Sequence, residues 1–162
     1  MTDTSLDALY KGGALPALRE LDLSYSSIGQ LAIAELLAAC TNLVNLNLNG
    51  CANMVELLWG TSSSHSSDML VSDCPANLEV MESDGESFRK PERLLEILNC
   101  TGCRNIKKVL IPPAAWCFHL SKLNLNLSTN LKEVVLACSN LSSLNLRFVF
   151  LPEYHSLASI LF

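Results

Sequence analysis

Cys100 and Cys103 form the one C-x-x-C motif of the chain. Paired thiols at this spacing can bind zinc or perform thiol–disulfide exchange, which makes this motif the clearest candidate for chemistry. A structural zinc site needs a second such pair, which the sequence lacks, and a redox motif needs a helix N-terminus that lowers a thiol pKa. Whether either chemistry is available therefore depends on the elements that position the two thiols.

These elements follow a recurring line, Leu-x-x-Leu-x-Leu, which we call the leucine frame and number from its first leucine. The frame recurs after 25, 52, 25 and 21 residues, and the interval of 52 is about two periods. A period in this range, with Asn or Cys following the leucines, is typical of leucine-rich repeats. The members of the frame are Leu18, Leu21 and Leu23; Leu43, Leu46 and Leu48; Leu95, Leu98 and Cys100; Leu120, Leu123 and Leu125; and Leu141, Leu144 and Leu146.

The frame predicts an α/β fold, a right-handed leucine-rich-repeat solenoid with parallel strands on its concave face. The apolar spacing of residues 30–40 predicts an amphipathic helix on the convex face. A first helix is expected to begin at a capping box over residues 4–7 and to end at Gly12-Gly13. The other return segments, 54–59, 106–111 and 131–136, are short, and the last two are rich in β-branched residues. We expect them to be extended rather than helical.

The same frame changes the interpretation of the cysteines. Cys100 occupies the inward sixth position, where the other copies of the frame have leucine, and Cys103 shares the ninth position with Cys51. Three further cysteines each stand three residues before a first leucine: Cys40, Cys117 and Cys138. We therefore predict that these thiols are buried packing groups, and we expect no catalytic residue, no metal site and no cofactor.

Composition limits the function classes further. The net charge of −5 argues against a nucleic-acid surface, and no apolar run is long enough to span a membrane. The N-terminus lacks a secretory signal and the cysteine count is odd, so a cytoplasmic or nuclear location is expected. The three histidines do not cluster with a nucleophile or an acid, so we do not expect an enzyme.

Four regions are expected along the chain. Leucine-rich repeats occupy residues 1–58 and 94–150. Between them, residues 59–93 form a serine-rich acidic insertion, expected to be disordered because it buries too little apolar area. Residues 151–162 form an apolar tail that leaves the array uncapped. In the insertion, Ser83 and Ser87 are candidate phosphorylation sites, although a solvated loop is the simpler interpretation.

Two rows of outward residues form the candidate protein-binding surface, with a purely solvated face as the alternative. The first row comprises the fifth position of the frame: Asp22, Asn47, Asn99, Asn124 and Asn145. The second row comprises the seventh position: Ser24, Asn49, Thr101, Asn126 and Arg147. With so few charges, such a face suits a partner bound by amide hydrogen bonds.

Two segments carry a family resemblance, Leu15-Pro-Ala-Leu-Arg-Glu-Leu-Asp-Leu-Ser-Tyr25 and Val109-Leu-Ile-Pro-Pro-Ala-Ala115. Together with cysteines before and after the strands, they resemble the cysteine-containing repeats of plant F-box/LRR-repeat proteins. That resemblance implies a substrate-recognition region of an SCF-type (cullin-RING) E3 ubiquitin ligase, acting in ubiquitin-dependent protein degradation. The F-box that binds the Skp1-type adaptor in that family is not visible, so we expect this chain alone not to bind the adaptor.

The sequence therefore predicts a module that binds a protein substrate of unknown identity. The alternatives are a stand-alone cytosolic leucine-rich-repeat scaffold and a truncated, non-functional product.

Overall fold

A computed structural model describes residues 6, 15–58, 93–111, 118–149 and 159–160, the last pair by backbone alone. The described part contains parallel strands in two sheets and one helix, which confirms the predicted α/β class. In chain order the elements are β1 (Glu20–Asp22), α1 (Gln30–Ala39), β2 (Asn45–Asn47), β3 (Glu56–Leu58), β4 (Ile97–Asn99), β5 (Lys108–Ile111), β6 (Lys122–Asn124), β7 (Glu133–Leu136), β8 (Ser143–Asn145) and β9 (Ser159–Ile160).

The first sheet has five strands in the order β1-β2-β4-β6-β8, all parallel. Its register places the fourth-position leucines side by side, and Leu46, Leu98 and Leu123 are at most 1% exposed. Each buried leucine side chain contributes about 2 kcal/mol of transfer free energy. The leucine frame thus supplies both the register of this sheet and the centre of its core.

The second sheet has the order β3-β5-β7-β9 and is also parallel. It is built from the segments predicted to be extended, and that prediction is confirmed at β3, β5 and β7. Leu57, Val109 and Val134 are buried at equivalent register positions. On the outer face, the Lys108 ammonium lies 3.0 Å from the Glu133 carboxylate, an exposed pair that contributes little to stability.

Helix α1 confirms the predicted helix over residues 30–40. It begins after the extended Gly29 and ends where the N–H of Cys40 donates to the carbonyl of Leu36. Ile33, Leu36 and Leu37 are buried against the core, because residues three and four apart share one face of a helix. In the described part of the chain, no helix has the length and hydropathy needed to cross a membrane.

Several predictions fall outside the described residues: the first helix apart from the buried Leu6, the insertion apart from Arg93, the serines Ser83 and Ser87, and Cys117. The C-terminal tail differs from expectation at one point. Its backbone forms β9, which pairs with β7 through Val135 opposite Ser159. The sequence predicts no strand there, because two residues are too short to show a pattern.

Candidate functional site

The fifth-position residues, here called the first polar row, lie side by side on the first sheet. Strand pairing aligns Asp22 with Asn47, Asn47 with Asn99, Asn99 with Asn124 and Asn124 with Asn145. Asp22 is exposed and the four asparagines are half-buried. The adjacency expected from the frame is therefore confirmed, and its consequence depends on what these side chains contact.

Their side-chain oxygens are occupied by the protein's own backbone. Each Oδ1 atom accepts a hydrogen bond from the N–H two residues later, as in the 2.8 Å bond from Ser24 to Asp22 and the 3.1 Å bond from Thr101 to Asn99. The same bond forms at Asn47, Asn124 and Asn145, over 3.0–3.1 Å. This side-chain bond turns the chain out of each strand. It explains why each strand of the first sheet ends at the fifth position of the frame.

The first polar row is also bonded laterally. The Asn47 amide donates to Asp22 Oδ2 over 2.9 Å, and the Asn99 amide donates to Asn47 Oδ1 over 3.1 Å. Hydrogen bonds from Ser24 and then from Asn47 stabilise the carboxylate and lower the pKa of Asp22. These contacts give the row a structural role beside the binding role predicted for it.

The seventh-position residues, the second polar row, have fewer internal contacts. The Asn49 amide donates to the Tyr25 hydroxyl over 3.4 Å, and the Thr101 hydroxyl donates to Asn99 Oδ1 over 2.7 Å. The guanidinium of Arg147 lies 5.4 Å from the ring centre of Phe148, within cation–π range. Of the two rows, the second therefore keeps more capacity to bind a partner.

The eighth position of the frame, which we call the strand-exit row, was not singled out by the sequence. Its five residues all have positive φ: Tyr25 (55°), Gly50 (69°), Gly102 (67°), Leu127 (62°) and Phe148 (57°). Glycine adopts this conformation freely, whereas a residue with a Cβ atom pays roughly 1–2 kcal/mol. Tyr25, Leu127 and Phe148 are nevertheless large, apolar and 79%, 38% and 56% exposed.

An open cleft of about 550 Å³ lies along this row, here called the strand-exit cleft. Tyr25 and Leu127 lie at the two ends of the cleft, and Gly50 and Gly102 lie between them. Hydrogen bonds between neighbouring backbones set this order, as in the bond from the Gly50 N–H to the Thr101 carbonyl. Asn49, Thr101 and Arg104 also line it. The cleft combines exposed apolar surface, neutral hydrogen-bonding groups and one cation.

The C-x-x-C motif lies in the core. Cys100 and Cys103 are both fully buried and not in a disulfide, which confirms the predicted packing role. A hydrogen bond to Cys103, followed by burial, raises the pKa of the Cys100 thiol well above its ordinary value. Cys103 donates to the Leu48 carbonyl over 3.0 Å, and Cys51 donates to the Leu23 carbonyl over 3.2 Å. Each ninth-position thiol thus binds the sixth-position carbonyl of the preceding copy of the frame.

Ser128 occupies that ninth position in the next copy, and its buried hydroxyl has no partner among the described residues. A hydroxyl reaches less far than a thiol, because the C–O bond is shorter than the C–S bond. An unsatisfied buried hydroxyl costs about 1–3 kcal/mol.

We expect Ser128→Cys to raise the free energy of unfolding by about 1 kcal/mol, because the thiol would reach the Cys100 carbonyl. Ser128→Ala should be neutral or mildly stabilising, because it removes the unsatisfied group. Urea denaturation of both variants measures this. A loss of stability in both would show that the hydroxyl has a favourable interaction.

Among residues 15–58, 93–111 and 118–149, no three His, Cys, Asp or Glu side chains are grouped so as to hold a metal ion. The sequence did not reveal the strand-exit cleft, because tyrosine, leucine and phenylalanine carry no signal for a left-handed backbone. The one available hint was glycine at the same position in two other copies of the frame. No protein-family model matches the chain, and no solved structure matches it.

Proposed function

We propose that the chain is part of a leucine-rich-repeat solenoid that binds another protein through the edge of its first sheet. Supporting this, the five strands are parallel and in register, and they are separated by 25, 52, 25 and 21 residues, which is one repeat length at three steps and about two at the other. The observation that carries the proposal is the clustering of exposed apolar residues, amides and one arginine at one edge of that sheet. Exposed apolar surface of this kind marks interaction sites in soluble proteins.

The partner class follows from the family resemblance. On that basis the module would recognise a substrate of an SCF-type E3 ubiquitin ligase, and contact with the Skp1-type adaptor would depend on an F-box. Neutral amides and hydroxyls dominate the two polar rows, so hydrogen bonding rather than electrostatic steering would select the substrate.

Site-specific photo-crosslinking in plant cells tests this proposal. A benzoylphenylalanine at Asn49, on the second polar row, should crosslink a discrete protein partner, whereas one at the exposed Ala34 of α1 should not. Depleting the protein from these cells should lengthen the half-life of that partner. Equal crosslinking from both positions would contradict binding at this sheet edge, and an unchanged half-life would favour a scaffold over a degradation receptor.

A further inference from the structure

The strand-exit cleft has a composition that suits one kind of ligand, and this inference rests on the function proposed above. Among the described residues lining the cleft, Arg104 is the one charged side chain. It is exposed, and no described residue forms an ion pair with it. A guanidinium in such a position is complementary to a carboxylate, with which it forms short, directional hydrogen bonds.

Two neutral acceptors line the same cleft as the arginine. Asn49 donates a hydrogen bond from its side-chain amide to the Tyr25 hydroxyl. Its Oδ1 atom lies beside Gly102, 3.6 Å from the position that a Cβ atom on this glycine would occupy. Thr101 uses its hydroxyl hydrogen on Asn99, so its oxygen can still accept a bond. Acceptors of this kind bind N–H donors, which a small carboxylic acid lacks and a peptide backbone supplies.

The dimensions of the cleft also match a short peptide. Tyr25 and Leu127 are three strand positions apart in the row, and neighbouring strands are about 4.8 Å apart, so their backbones are about 14 Å apart. An extended peptide rises about 3.3 Å per residue, so about four residues span this distance. Because Gly50 and Gly102 have no side chains, a peptide has room to approach the backbone there. At Gly50 the Tyr25 ring occupies part of that room.

We propose that the strand-exit cleft binds an extended peptide segment of a protein partner, about four residues long. An acidic side chain of this peptide pairs with Arg104, and apolar side chains at its two ends pack on Tyr25 and Leu127. Peptide N–H groups donate to Asn49 Oδ1 and Thr101 Oγ. The positive φ of Leu127 is consistent with a residue kept for binding rather than for stability, because asparagine or glycine suits that backbone better.

A phage-displayed library of random seven-residue peptides, selected on the full chain, tests the proposal. Enriched peptides should contain Asp or Glu between two apolar residues. Arg104→Glu should lower the affinity for the synthetic consensus peptide by about tenfold or more. When the library is selected again on this variant, the enriched peptides should contain basic residues instead of acidic ones. Lys107→Glu, the same charge change at an exposed residue that does not line the cleft, should leave affinity unchanged.

Leu127→Asn distinguishes a binding role from a structural one. We expect the melting temperature to rise by about 2 °C, because asparagine tolerates the left-handed backbone, while peptide affinity falls severalfold. Leu31→Asn, an exposed leucine on α1, is the matched control and should leave affinity unchanged. A drop in both stability and affinity on Leu127→Asn would overturn the binding role, as would a failure to enrich any peptide.

The photo-crosslinking experiment is independent of this outcome. If a protein partner crosslinks at Asn49 but no acidic–apolar peptide is enriched, the proposed function stands and the peptide assignment is wrong. If neither result is obtained, both are wrong.

Discussion

Replacing Leu98 with alanine is expected to lower the free energy of unfolding by about 2–5 kcal/mol. Leu98 is fully buried in β4, the middle strand of the first sheet, with Leu46 and Leu123 at the aligned positions on either side. The loss combines the transfer free energy of the deleted methyl groups with the cost of the cavity they leave. Because the β4 side chain is flanked on both sides, little rearrangement can fill that cavity.

Urea denaturation followed by circular dichroism measures this loss. The matched control is Leu31→Ala on α1, where the leucine is 71% exposed and the change should stay within about 0.5 kcal/mol. A Leu98→Ala loss below about 1 kcal/mol would mean that the aligned leucines do not form a packed core.

Replacing Gly50 with alanine is expected to destabilise the protein by about 1–2 kcal/mol, because its φ of +69° is unfavourable for a residue with a Cβ atom. The added Cβ would also lie 2.7 and 2.8 Å from two carbons of the Tyr25 ring. Since this ring is largely exposed, it should rotate away rather than hold the backbone apart. The second consequence is therefore a displaced Tyr25 side chain, seen as changed ring chemical shifts in NMR spectra.

Gly102→Ala separates the two effects. Its φ of +67° gives the same backbone cost, but the nearest atom to its Cβ is Asn49 Oδ1 at an ordinary 3.6 Å. Both variants should lose similar stability, and Gly50→Ala alone should shift the Tyr25 resonances. Equal Tyr25 shifts in both variants would show that the ring does not lie over Gly50.

Much of the fold follows from local patterns. The leucine frame predicted the positions of β1, β2, β4, β6 and β8, because its fourth and sixth residues, two apart, lie on the same face of a strand. The helical spacing of apolar residues likewise identified helix α1, and short length with β-branching identified the extended segments that form β5 and β7. The burial of Cys100 and Cys103 followed from their frame positions, without any knowledge of their neighbours.

The candidate site was less accessible to such reasoning. The frame placed Asn47 and Asn99 on one surface, but whether an amide faces a partner or bonds the backbone depends on the turn that follows each strand. That turn assigns the Oδ1 atoms to internal N–H groups, so the row has a structural role that composition alone does not reveal. Similarly, the sequence shows only that Ser128 occupies the ninth position, where two other copies of the frame have cysteine. Only the packed core shows that its hydroxyl lacks a hydrogen-bond partner within the described part of the chain.

Sequence alone determined the class of fold, the register of the first sheet and the inward position of the cysteines, because each depends on periodicity, which is a local property of the chain. Tertiary structure alone decided that Tyr25, Gly50, Gly102 and Leu127 line one cleft with Arg104. Tyr25, Gly50, Gly102 and Leu127 lie in four separate copies of the frame, and strand pairing brings them together. Their shared left-handed backbone arises from the turn after each strand. Tyrosine and leucine have no preference for a positive φ, so the sequence does not predict this conformation at Tyr25 or Leu127.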